Sequence, residues 1–169
     1  MNIFIACGLT QIPRNLFATY TETIHTVAAR LSSKGLHQVK YALLDIDPRL
    51  ASEPRTERAP LCYSWGKSMV EAADLVLAEA SFPSIGLGIE MQIAAASEKP
   101  LIIFYRDFGV NKLSSVTYEN PDKSLHELHI DQGFVSLMAL GIPTVQTLIK
   151  YSDTADAALQ LAEAVRLRN

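Results

Sequence analysis

Residues 73–101 leave the chain few ways to fold. Positions 74–80 read Asp, Leu, Val, Leu, Ala, Glu, Ala, an almost unbroken apolar run that suits a short strand buried on both faces of a parallel sheet. The run breaks at Ser81, Phe82, Pro83 and Ser84, and a helical pattern follows over residues 86–97. A strand, a loop and a helix in that order make half of a βαβ unit, so the rest of the chain is expected to supply further parallel strands and covering helices.

The junction between strand and helix carries the chemistry. Ser84 follows a proline and precedes an apolar helical run, which suits an N-cap, and the orphan N–H groups of a first helical turn form a ready anion site. Gly86 and Gly88 have no Cβ, so a ligand can approach the backbone there. At 3.6 residues per turn Glu90 shares a helix face with Gly86, Leu87, Ile93 and Ala94, an apolar setting for a carboxylate. Each feature also has a plainer explanation. Ser84 caps the helix whether or not it meets a ligand, the glycine pair suits close helix–strand packing, and an acid in a first turn complements the helix dipole.

Elsewhere the pattern repeats. Residues 2–7 form a continuous apolar run ended by Gly8, and a helix follows from Arg14 with Leu16, Phe17, Tyr20, Ile24, Val27, Ala28 and Leu31 at helical spacing and Gly35 as its stop. Residues 39–44 read as a second strand and 48–60 as a Pro-bounded surface loop. A helix is expected over 61–73, strands over 100–105 and 144–151, a short helix over 134–140, and a C-terminal helix over 155–167 capped from residues 152–154. The expected fold is a single α/β domain over 1–169: a doubly wound, flavodoxin-like five-stranded parallel sheet in order 2-1-3-4-5, helices on both faces. In that order strands 1 and 3 are neighbours, so Gly8 and residues 84–90 line one crevice at the topological switch point.

Composition excludes several classes. A net charge of −3 recruits neither a nucleic acid polymer nor an anionic membrane. Cys7 and Cys62, the only two cysteines, make no disulfide framework and read as reduced small hydrophobes. The absence of a basic start, of a leader-like apolar segment and of any long apolar run points to a cytoplasmic protein. His126 and His129 stand three apart without a completing acid or cysteine, so no metal is expected. The first loop lacks a Ser/Thr-rich phosphate loop, which disfavours flavin.

The run from Ala73 to Met91 with Ser84, Gly86, Gly88 and Glu90 in place, followed by Ala95 and residues 99–105, resembles the nucleoside 2-deoxyribosyltransferase family, and most closely its 2'-deoxynucleoside 5'-phosphate N-hydrolase branch. The likeness is clearest over the middle third. It implies that Glu90 is the nucleophile attacking the anomeric carbon of the sugar. It further implies that Ser84, Gly86 and Gly88 hold a 5'-phosphate, with Gly8 and Thr10 of the first loop. The family's arginine position is Gln11 here, and Arg14 lies three residues on. Ser114 matches a serine supplied by the neighbouring subunit, which implies a homodimer or higher homo-oligomer with shared sites. No cofactor is implied.

One departure stands out. The family's general acid, an aspartate eight residues before the position of Asp74, is Gly66 here. Asp45, Asp47, Tyr63 and Glu71 are possible substitutes, and Tyr63 and Trp65 either stack on a base or pack in the core. The expected activity is cleavage or transfer at the N-glycosidic bond of a nucleoside or nucleoside 5'-monophosphate through a glycosyl-enzyme intermediate. The alternative is a non-catalytic nucleotide-binding module that kept the phosphate cradle and lost the acid.

Overall fold

The computed structural model describes residues 1–33 and 35–168. Its strands are β1 (Asn2–Cys7), β2 (Gln38–Tyr41), β3 (Leu75–Glu79), β4 (Leu101–Arg106), β5 (Thr117–Glu119), β6 (Leu125–Glu127) and β7 (Val145–Tyr151). Its helices are α1 (Arg14–Ser32), α2 (Ala42–Asp45), α3 (Asp47–Ser52), α4 (Arg55–Ala72), α5 (Ile85–Ala96), α6 (Leu137–Leu140) and α7 (Thr154–Arg166). Five strands form one sheet in the order β2-β1-β3-β4-β7, every pairing parallel. This is the expected doubly wound order, with β5, β6 and α6 inserted between its fourth and fifth strands.

Alternate residues of the central strands β1, β3 and β4 feed two separate cores, and this is why those strands read as unbroken apolar runs. On one face Ile3, Ile5, Leu75, Leu77, Ile102 and Phe104 pack with Tyr20, Ile24 and Val27 of α1 and with Ala157, Leu161 and Val165 of α7. On the other, Phe4, Ala6, Val76, Ala78 and Ile103 pack with Val70 of α4 and with Leu87, Met91 and Ala94 of α5. Fully burying each large side chain of this kind contributes roughly 1.5–3 kcal/mol. Cys7 and Glu79 sit side by side at the carboxyl ends of β1 and β3, where the loops of the two strands meet.

Four local expectations need correction. The second strand stops at Tyr41 instead of 44, because Asp45 folds back and accepts a 2.9 Å bond from the Tyr41 N–H, closing a helical turn in the manner of a capping box. Residues 48–60 are helical almost throughout, in α3 and the start of α4. Pro60 lies inside α4 instead of bounding it. The first turns of α4 are solvent-exposed, so no apolar stripe announces them. The short helix expected over 134–140 occupies only Leu137–Leu140, where the Ser136 hydroxyl accepts from the Ala139 N–H at 3.2 Å. Finally β5 and β6, at 117–127, form an antiparallel hairpin that no strand signal marked. His126 belongs to that hairpin, stacked on Tyr118 at 5.9 Å and bonded to Ser124 at 2.8 Å. Among the described residues no group of metal-ligating side chains is assembled, and no helix is long and apolar enough to cross a membrane.

Candidate active site

The carboxyl end of β1 and the start of α5 are in contact. Ser84, with extended backbone, caps α5 by accepting from the Leu87 N–H at 3.2 Å. A Cβ placed on Gly8 would lie 2.6 Å from the Ser84 Cβ, nearer than side chains approach. Gly8 is therefore required for β1 to end against the cap. Gly8→Ala is expected to push the loop at 81–84 away and to cost about 1–3 kcal/mol by overpacking. Thermal unfolding checks this, and a melting temperature within 1 °C of wild type would contradict it.

Gly86 and Gly88 behave differently. A Cβ on Gly88 would meet nothing within 4 Å, and one on Gly86 would meet only the Ser84 Oγ, at 3.7 Å. Helix–strand packing therefore does not explain them. Both are exposed, and in the first turn the Ile85 and Gly86 N–H groups have no acceptor among the described residues. The helix start is thus a bare, accessible set of donors at the positive end of a dipole.

Glu90 lies one turn further in, on the side of α5 that faces α4. Its Oε1 is 3.5 Å from where a Gly66 Cβ would be, beside Ile46. Burial alone pushes its pKa up to about 8, with no countercharge acting on it, and no described side chain hydrogen-bonds it. The same carboxyl raises its neighbours. Cys7 is pushed far above the usual thiol range by burial, then by the charges of Glu90 and Glu79. Cys62 is raised by burial and then by Glu90 and Asp47. Because the folded chain holds the Glu90 proton more tightly than the unfolded chain does, its contribution to stability is complete below the ordinary value of 4.5. The contribution is lost as pH climbs towards 8, at up to about 1.4 kcal/mol per pH unit. Melting temperature is expected to fall between pH 5 and pH 8, and the Glu90→Gln variant to show a flatter profile. Parallel profiles for the two proteins would contradict this account.

A cavity of about 360 Å³ flanks the other side of the α5 start, lined among others by Gln11, Ser84, Gly88, Asn111 and Leu113. Gln11, and not Arg14, is the first-loop side chain brought there. Arg14 opens α1 and is exposed, as is Thr10. Ser114 is exposed in the segment after β4, next to the cavity-lining Leu113.

Behind the loop is a group the sequence did not bring forward. Glu79 ends β3 with no exposure to solvent. Its carboxylate accepts from the Ser81 hydroxyl, from the Ser81 N–H at 3.2 Å and from the Tyr151 hydroxyl at 2.9 Å. Burial raises its pKa, and the surrounding hydroxyls oppose that rise. The Ser81 Oγ in turn accepts from the Arg106 N–H at 2.8 Å. Asn111 donates to the carbonyls of Ser81 and Arg106, at 2.8 Å each, and accepts from the Phe108 N–H. The network fastens the loop leading to Ser84 onto the ends of β4 and β7. An acid inside an apolar strand, followed two residues later by serine, was the available signal.

The candidate replacements for an acid at Gly66 are scattered. Asp45 is committed to the Tyr41 N–H. Glu71 is exposed and pairs with Lys67 at 3.7 Å. Tyr63 is 55% exposed. The Trp65 ring is covered by the Arg49 guanidinium at 3.9 Å. Only Asp47, exposed at the start of α3, acts electrostatically on the same thiol as Glu90.

No protein-family model matches the chain. Over 59 residues, 35% of its length, the chain is 34% identical to a protein of Syntrophotalea carbinolica provisionally named 2'-deoxynucleoside 5'-phosphate N-hydrolase 1, and it spans less than half, 42%, of that relative. Two solved structures share the fold over nearly the whole chain. One is the CMP N-glycosidase of Clostridium botulinum, with TM-score 0.54 and 16% identity, covering 95% of this chain and 98% of the other. The second is a conserved protein of Enterococcus faecalis, with TM-score 0.60 and 15% identity, covering 100% and 99%.

Proposed function

We propose, on the premise that this chain is a relative of the nucleoside 2-deoxyribosyltransferase family, that it cleaves or transfers at the N-glycosidic bond of a nucleoside or nucleoside 5'-monophosphate. The observation that carries the proposal is the Glu90 carboxyl, half-buried without a countercharge or hydrogen-bond partner one turn inside a helix whose start is bare. A carboxylate with no hydrogen-bond partner is an available nucleophile. Once ionised it attacks the anomeric carbon and forms a glycosyl ester, which water or a second base then resolves.

The phosphate is assigned to the start of α5. The Ser84 hydroxyl, the Ile85 and Gly86 N–H groups and the open backbone at Gly88 would hold it, with Gly8 setting the cap in place. Thr10, Arg14 and Ser114 are assigned supporting roles around it, and Gln11 joins them from the cavity. The five steps from Ile85 to Glu90 rise roughly 8 Å along the helix axis, so the carboxyl and the bare amides lie on neighbouring turns of one helix. Incubating the protein with ribo- and deoxyribonucleoside 5'-monophosphates and with the parent nucleosides, and assaying free base by chromatography, tests the proposal. Base should be released fastest from the phosphorylated compounds, and adding a second base distinguishes transfer from hydrolysis. Binding of nucleotides with no base release would overturn it.

A second copy of the chain is the occupant assigned to the apolar surface around the α5 start, where Ile85 is 81%, Ile89 45% and Leu113 63% exposed. That arrangement would bring the partner's segment after β4 to the phosphate. Sedimentation is expected to give a dimer that Ile89→Lys converts to monomer. A monomeric wild type at tens of micromolar would contradict it.

A further inference from the structure

Any nucleophilic cleavage of an N-glycosidic bond must dispose of the electron pair left on the base nitrogen. For a neutral purine or pyrimidine that means a proton delivered as the bond breaks, and a positioned acid supplies about 100- to 10,000-fold of the rate. The wall facing Glu90 does not offer one. Opposite its carboxyl stands Gly66, which has no side chain, with the Ile46 methyl beside it. The nearby thiols are poor donors: burial and the Glu90 charge push both Cys7 and Cys62 upwards. Asp45 is held by the Tyr41 N–H. Asp47 is exposed, and no described hydrogen bond aims it into the crevice. The acids described on this side of Glu90 are therefore Asp45 and Asp47, and the nearby Arg49 guanidinium is engaged over the Trp65 ring.

We infer that this site is built for N-ribosides whose base is already cationic, pyridinium nucleotides of the nicotinamide mononucleotide type, because such a base departs as a neutral molecule and needs no proton. The inference rests on the Glu90 reading given above. The step balances without a further reactant. A Glu90 oxygen forms the bond to the anomeric carbon, the carbon–nitrogen bond breaks, and its electron pair discharges the ring nitrogen. Water then adds at the anomeric carbon, the ester bond breaks with its electron pair returning to Glu90, and the water's proton goes to solvent. The products are neutral base, ribose 5-phosphate and one proton. A cation beside Glu90 also favours ionisation of its carboxyl, so this substrate prepares its own nucleophile.

Gly66→Asp gives a direct comparison, since a Cβ at that position makes only ordinary contacts, 3.5 Å to Glu90 and 3.9 Å to Ile46. The full chain, wild type, Gly66→Asp and Asp47→Asn, is assayed for base release from nicotinamide mononucleotide and from AMP, GMP, CMP, UMP and their deoxy forms. For wild type, kcat/KM on nicotinamide mononucleotide is expected to exceed that on every neutral-base nucleotide by about 100-fold or more. In Gly66→Asp that preference is expected to shrink at least tenfold, through faster cleavage of the neutral-base compounds. Comparable wild-type rates on both classes would overturn the inference and leave the Glu90 reading standing. So would a loss of neutral-base cleavage in Asp47→Asn, since Asp47 would then be the donor. Release of base from neither class would remove the Glu90 reading and the inference together. If Gly66→Asp does not fold, the wild-type ranking alone decides.

Discussion

Replacing Glu90 by Gln is expected to lower base release from the best substrate by roughly a thousandfold or more, the scale seen when an enzyme loses its nucleophile. The amide has nearly the same shape, so the packing of α5 against α4 is retained. Nucleotide binding should survive within a few-fold, because the donors assigned to the phosphate are at Ser84, Ile85 and Gly86, a full turn away. The same residue sets the pH dependence. With its pKa raised to about 8 by burial, kcat/KM is expected to rise with pH and to bend near that value, since only the ionised carboxylate attacks. Single-turnover base release across pH 5 to 9, with wild type and variant, checks both points. Full activity in Glu90→Gln would remove this residue from the chemistry, and a rate that falls as pH rises would assign control to another group.

Glu79→Ala is expected to produce the largest loss of stability. The substitution empties a fully buried position and strips an acceptor from the Ser81 hydroxyl, the Ser81 N–H and the Tyr151 hydroxyl. Each buried donor left unpaired costs about 1–3 kcal/mol. After partial relaxation a total of about 3–5 kcal/mol is expected, a fall in melting temperature of roughly 6–20 °C for a chain of this size. Glu79→Gln keeps the volume and one acceptor and should cost less than half as much. Chemical denaturation of the three proteins side by side measures this. An alanine variant within 1 kcal/mol of wild type would show that the network holds nothing in place.

These two carboxylates also mark what could be read from the residues. The sheet was legible because its central strands β1, β3 and β4 are buried on both faces, and strand-like runs separated by helical patterns admit few arrangements. The Ser84 cap was legible too, as was the α7 start, where Asp153 accepts from the Asp156 N–H at 2.9 Å. Both motifs are local, each complete within four residues. Glu79 was only half legible: its partner Ser81 stands two residues on, but Tyr151, which completes the enclosure, is 72 residues away. The early start of α4 was hidden for the opposite reason. Its first turns face solvent and carry no periodic apolar pattern, so Pro48 and Pro60 looked like the bounds of a loop. Glu90 lies between these cases. Its helix face was predictable, but that Gly66 would stand opposite it depended on how α4 and α5 pack.

The central claim is that the Glu90 carboxyl becomes covalently joined to the sugar. Mass spectrometry of the acid-quenched protein tests it directly, using a nucleotide with fluorine at the 2' position to slow release of the ester. The account predicts an added pentose 5-phosphate mapped to the peptide containing Glu90 and missing in Glu90→Gln. Free base accumulating with the protein mass unchanged, or the adduct mapped to another residue, would contradict it.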